Sequence, residues 1–300
     1  MITGKRVFLT AGIAILVASI TYLFLFGKLF PYSPIIIGFD KNEHSNIRIY
    51  VQKGAKDIDL TAFDSILPLV EEFHDLKFLR KPQIYIFRDS LSYIHHSPSK
   101  ARFCSFPNNR LFVSPWALKE AAEGKISLSI YFMHELSHIL IFQHTGTVNG
   151  LRYPEWLLEG IAVYSSKQMG TGFYPSREEV YDAIIHGNFM PPSYYKTRKE
   201  KKVQLDTEHR VTFMYSEFGC IVDYMIDKFG KENFLRYMKS LIEDNDHDKI
   251  FTDVFGIEFD KFLVDFQNHI AETCSLHQST VSSSSQYSHA LGILPSTCLY

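Results

Sequence analysis

His134-Glu135-Leu136-Ser137-His138 stands inside a segment that is otherwise almost wholly apolar, with Ile130, Tyr131, Phe132 and Met133 before it and Ile139, Leu140 and Ile141 after it. A run that is apolar on every side predicts a buried helix. On such a helix, residues four apart lie about one turn above each other, so the imidazoles of His134 and His138 face the same point. Burying two imidazoles and a carboxylate is costly unless something compensates for their lost hydration. A zinc ion, which takes nitrogen and oxygen ligands in tetrahedral geometry, is the economical compensation. Glu135 then projects beside the metal, where it can take a proton from a bound water.

A zinc that keeps one open position needs a third protein ligand. In Pro154-Glu155-Trp156-Leu157-Leu158-Glu159-Gly160-Ile161-Ala162, the proline suits the first turn of a helix, and Glu159 falls between large apolar neighbours where a carboxylate again needs a partner. Glu155 sits near the positive end of the same helix, where an acidic residue is ordinary dipole complementation. His144 is the rival, because His134, His138 and His144 reproduce the HExxHxxxxxH spacing of metzincins. Those proteins end the helix at a glycine so that the third histidine can swing back. Here that position is Ile141, and a β-branched residue does not make such a turn. The expected ligand set is therefore His134, His138 and Glu159. The cysteines, Cys104, Cys220, Cys274 and Cys298, contain no CxxC spacing, so a thiolate site is not expected.

The chain around this centre divides into two styles of pattern. Asn46–Gln52 alternates Ile47, Ile49 and Val51 with polar or aromatic residues, as a half-buried strand does. Leu60, Phe63, Ile66, Leu67, Val70 and Phe73 recur at helical spacing, and QIYIFRD and RLFVSP read as further strands. From Lys125 onward helical patterns dominate. The fold class expected is α+β, a small mixed sheet followed by a mainly helical catalytic domain over residues 46–274. Residues 31–45 read as a tether, and residues 275–300, with their serine run, as a flexible tail.

Taken together, His134-Glu135-x-x-His138 followed by Trp156-Leu157-x-Glu159-Gly160-x-Ala162 resembles the gluzincin zinc metallopeptidases, most closely the peptidase-MA-like domains related to thermolysin and aminopeptidase N. The resemblance implies peptide-bond hydrolysis by zinc-activated water, with Glu135 as general base and an extended substrate lying along an edge strand, expected to be RLFVSP. Gluzincins also place a Tyr or His on a downstream helix to stabilise the oxyanion. Tyr215 matches that placement, with His209 as the alternative. Two family features are missing. No glycine-rich motif for a substrate amino terminus precedes His134, and Val163 stands where thermolysin-like enzymes have an aspartate one turn after the glutamate ligand.

Outside this domain, Val7 to Gly27 carries no charge and is long enough to cross a hydrocarbon core of roughly 30 Å as a helix. A cleaved signal usually has a shorter apolar run ending in small residues, so an uncleaved single-pass anchor through residues 7–27 is expected. Lys5 and Arg6 before the span, against Lys28 alone after it, put residues 1–30 down as a cytosolic N-terminus and anchor, with the catalytic domain on the extracytoplasmic side. The balance of 31 Lys+Arg against 33 Asp+Glu gives a net charge of -2 and no basic stripe, which excludes nucleic acid as the expected partner and leaves a peptide or protein. A catalytically silent peptide-binding or assembly module on the same fold is the competing expectation, and a deformylase-like hydrolase is excluded by the context of Cys104. The topology is testable: alkaline phosphatase fused after Ile270 is expected to be active, and a well-expressed but inactive fusion would reverse the assignment.

Overall fold

The computed structural model describes residues 2–55 and 61–290. Its first element is helix α1 (Ile2–Phe26), which contains an apolar stretch, Phe8–Phe26, long enough to cross a membrane and with none of its residues buried. After it come strands β1 (Phe39–Glu43) and β2 (Arg48–Gln52), helix α2 (Leu67–His74), strand β3 (Gln83–Ile86), helix α3 (Ser90–His96), strands β4 (Phe103–Phe106) and β5 (Arg110–Val113) and helix α4 (Pro115–Ala122). The remainder is helical: α5 (Leu128–Gly150), α6 (Glu155–Ser165), α7 (Arg177–Ile185), α8 (Arg210–Phe229), α9 (Lys231–Glu243), α10 (His247–Phe255) and α11 (Phe259–Ala290). A small mixed sheet followed by helices is thus the architecture, as the α+β expectation held.

The strands form one sheet in the order β1-β2-β3-β5-β4. β2, β3 and β5 run parallel, while β1 and β4 close the two edges in antiparallel pairing. This corrects the edge assignment. RLFV is interior, paired on both sides, and the edge strand is β4, in the FCSF segment. Alternation along the strands sends Ile49, Ile84, Ile86, Leu111 and Val113 toward α2 and α5. Tyr50, Tyr85, Phe87 and Phe112 point to the opposite face. That second face is also covered, so the expectation of a half-buried strand at residues 46–52 holds for one side only. Parallel strands are ordinarily buried on both faces.

What covers the aromatic face is the segment expected to be a tether. Phe30 is fully buried there, its ring against His96, Phe39, Tyr85 and Phe112 at centroid distances of 4.8, 5.5, 6.0 and 5.9 Å. The buried Arg110 guanidinium donates to the carbonyls of Phe30 (2.9 Å) and Ser33 (2.6 Å), and Asn108 donates to that of Pro31 (2.5 Å). The packed unit therefore begins at Phe30, and residues 39–43 are strand β1. The cause is an apolar demand on the sheet's second face that no local sequence pattern announces.

Two other stretches differ from expectation. The helix read from Leu60 starts as a short 3-10 turn, Thr61–Ser65, before α2, and Leu60 itself lies outside the described residues. α11 continues past Ser275 to Ala290, as helix propagation from a packed segment costs far less than nucleation. Residues 291–300 are outside the described residues.

In the helical half, α6 and α8 cross at close range. A Cβ added to Gly160 would lie 2.6 Å from the carbonyl oxygen of Phe218, and one added to Gly219 would lie 2.9 Å from a Val163 methyl. Glycine at 160 is thus required by backbone approach, not by φ. In a free helix Gly→Ala stabilises by roughly 1 kcal/mol. Here the added methyl meets a carbonyl that cannot yield without moving a helix, so Gly160→Ala is expected to lower stability by about 1–3 kcal/mol. Thermal unfolding of the two proteins checks this, and a raised midpoint would show that α6 and α8 stand further apart.

Candidate metal centre and cleft

α5 delivers its two histidines and Glu135 to the floor of a cleft of about 500 Å³. Leu136, Ile139 and Leu140, on its other side, are fully buried against the sheet and α2, which fixes the helix rotation. His74 adds to that fixing. Its Nδ1–H donates to the Val70 carbonyl (2.7 Å) and its Nε2 accepts from the Ser137 hydroxyl (2.8 Å), tying α2 to α5. Burial, with the neighbouring His138 in support, holds its pKa down at about 4, so it is a neutral core histidine.

α6 packs on α5 and presents Glu159 to the histidines. Nε2 of His134 and Nε2 of His138 are 3.1 Å apart, and Oε2 of Glu159 is 3.3 Å from the first and 3.5 Å from the second. Ligands at about 2.0–2.1 Å from a tetrahedral zinc must lie about 3.3–3.4 Å from each other. The triangle of donor atoms therefore has the size that such an ion requires. Among the described residues, these three are the group of His, Cys, Asp and Glu side chains placed to hold a metal. Burial alone would raise the Glu159 carboxyl, but the two imidazoles outweigh it and hold its pKa at about 2. Burial likewise opposes a charge on His138, and Glu159 reverses that, raising its pKa. A cation at this point replaces a proton that the site otherwise attracts.

The Nδ1 atoms of both histidines are buried without a protein partner. Val163, one turn after Glu159 on α6, packs against Gly219 of α8.

Around the triangle, the cleft wall on one side is the edge strand β4 with Pro107, and on the other Val211, Thr212 and Tyr215 of α8. The Ser105 hydroxyl donates to Oε2 of Glu135 at 2.5 Å. Tyr215 lies beside His134, ring centroids 6.3 Å apart and planes within 18°. Its hydroxyl accepts from the Tyr195 hydroxyl (3.2 Å), so its own proton is free to be donated into the cleft. Burial, the Glu159 charge and the Tyr195 contact all push its pKa well up, which keeps that proton in place. Lys196 and Glu155 form an ion pair on the lining of the cleft.

The structure thus gathers His134, Glu135, His138, Glu159 and Tyr215, while leaving out the two alternatives. α5 runs helically through Ile141 and breaks only at Gly146 (φ 71°), and His144 Nε2 meets the Lys77 carbonyl at 2.8 Å. His209 precedes α8, half exposed and against Phe173. Ser105 and Tyr195 are additions that sequence reasoning missed, and only the aromatic pair Tyr194-Tyr195 offered any signal for the second. No protein-family model and no curated protein matches the chain, so the chemistry of the site is argued from its geometry.

Because His144 is held by Lys77 and Glu159 by the two imidazoles, Glu159→Ala is expected to lose stoichiometric zinc and His144→Ala to keep it. Metal analysis of the purified variants decides. Full zinc in a folded Glu159→Ala protein would remove Glu159 from the ligand set.

Proposed function

We propose that this chain is a zinc metallopeptidase of gluzincin type, held by one membrane-spanning helix with its catalytic domain on the extracytoplasmic side. The observation that carries the reading is the triangle of His134, His138 and Glu159 donor atoms, 3.1 to 3.5 Å on a side, with a carboxylate immediately beside it. Zinc held there supplies Lewis-acid polarisation of a carbonyl and acidifies water.

The protein's own groups perform the rest. Glu135 has one oxygen engaged by Ser105, and the other accepts the proton of the attacking water and passes it to the leaving amine. Ser105 is a positioning residue that fixes the carboxylate's rotation. Tyr215 donates to the oxyanion as it develops, with Tyr195 holding the phenol oriented. The unpaired side of β4 offers its backbone to an extended chain, which needs no free terminus and therefore suits an endopeptidase.

The test separates base, donor and fold. Glu135→Gln preserves shape but removes the proton acceptor, so the variant is expected to keep zinc and thermal midpoint while losing nearly all cleavage of a denatured protein. Tyr215→Phe is expected to lower turnover by ~10²–10³ with little change in KM. Undiminished cleavage by zinc-loaded Glu135→Gln would refute the mechanism. Absent cleavage by the wild type on a broad panel, with peptide binding retained, would favour the silent binding module.

A further inference from the structure

The junction between α1 and the domain is tied down on both sides of Leu29, and its outer side is apolar. The Lys28 ammonium is clamped to the carbonyls of Ile94 and of Ser97 (2.7 Å), which sets the C-terminal end of α3 beside the end of α1. Phe30, two residues further on, is locked into the aromatic face of the sheet. The chain therefore has no slack between the apolar helix and the domain. Around this junction Leu29, Tyr32, Ile35 and Ile37 are exposed, as are Leu91 and Ile94, one turn apart on the outer face of α3, with Leu91 68% exposed. No acidic residue occurs from Gly27 to Phe39. Scattered exposed apolar residues are ordinary, but these are concentrated on the few residues that join α1 to the sheet and on the helix whose end Lys28 clamps beside α1.

The same junction touches the cleft. Pro31 is bonded to Asn108, just past the edge strand, and Tyr32 packs on Phe106 at a centroid distance of 6.1 Å. Five residues separate Phe26 from Pro31, a reach of at most about 17 Å. Three more, from Asn108 back to Ser105, add at most about 10 Å. The edge strand and Glu135 thus lie within roughly 30 Å of the end of α1.

We infer that Leu29, Tyr32, Ile35, Ile37, Leu91 and Ile94 bed the domain on the lipid surface, and that the cleft so placed takes membrane-proximal segments of anchored proteins as substrates. This rests on the membrane-anchored peptidase reading. A tyrosine among aliphatic side chains at the end of a spanning helix suits the interfacial zone of a bilayer. The fixed junction prevents the domain from swinging outward to meet soluble protein. A substrate chain emerging from the same bilayer needs only about nine extended residues to reach β4.

The test uses the full-length protein in phosphatidylcholine vesicles. Leu91→benzoylphenylalanine and Ile94→benzoylphenylalanine are each photolysed, with the same substitution at Leu16 inside α1 and at Val264, exposed on α11, as references. Lipid adducts at positions 91, 94 and 16 but not 264 are expected. Adducts at 16 alone, or crosslinks from 91 and 94 to protein in place of lipid, would overturn the bedded surface. None at 16 would overturn the anchor reading itself, and the inference with it. For the substrate class, one peptide is tethered to lipid through Gly/Ser spacers of ~30 or ~150 residues, spanning roughly 30 and 67 Å. Cleavage roughly three- to ten-fold faster with the short spacer is expected, because its length matches the distance to the cleft and effective concentration falls with length beyond that. The double variant Leu91→Glu/Ile94→Glu is expected to lose that preference while cleaving untethered peptide at the wild-type rate. Equal rates for both spacers in the wild type would overturn the substrate class. Cleavage of none of the peptides would instead refute the peptidase reading and the substrate class together, while the lipid adducts report on the surface independently.

Discussion

The backbone of α8 occupies the space that a side chain at Gly160 would need. With the Phe218 carbonyl lying 2.6 Å from where a Cβ would stand, α6 and α8 cannot be drawn together further, nor separated without opening a void between them. The position of Glu159 follows, since it is the residue before that contact and is turned to the other helix neighbour, α5. The position of Tyr215 follows as well, one turn before Phe218 on α8. A single glycine thus sets the separation between a carboxylate, two imidazoles and a phenol. The buried carboxylate in turn makes the arrangement expensive to leave uncompensated, because its Oε2 has no hydrogen-bond partner other than the two histidines it faces.

The sheet contributes differently. It is covered on both faces, by α2 and α5 on the aliphatic side and by Phe30, α3 and the segment around them on the aromatic side. That leaves only its edges open, and β4 is the edge turned to the cleft. Ser105 links this strand to Glu135, so strand and carboxylate move as one body. On the proposed peptidase reading, an extended peptide pairing with β4 would therefore be placed relative to Glu135 by a hydrogen bond already made.

Legibility in the sequence was greatest where the signal is local and the physics of burial is severe. Two histidines one turn apart in a helix apolar on all sides leave few readings, and Glu159 between Leu158 and Ile161 leaves few more. Ile141 correctly argued that the helix would not turn back to deliver His144. What could not be read was whatever depends on long-range pairing. RLFV makes a local hairpin with FCSF just before it, and only the parallel approach of β3, far back in the chain, closes its other side and makes it interior. Ser105 is an unremarkable serine until β4 is laid against α5. Residues 31–45 have the composition of a linker, and Phe30 becomes a core residue only because Tyr85 and Phe112 present an uncovered face. Tyr195 reaches Tyr215 through a loop that no periodicity describes.

The distribution of these groups along the chain has a consequence for the order in which they assemble. His134, Glu135, His138 and Glu159 all fall within the consecutive helices α5 and α6, and the break at Gly146 lies between them. Bringing those two helices together spans few residues. Bringing in Tyr215 requires α8 to cross α6 after a longer excursion through α7, and the closure entropy grows with each added stretch of chain. Local contacts of this kind are made early in folding and distant ones late. The three groups placed to hold a metal thus come together through short loops, and Tyr215 joins them only once α8 has crossed α6.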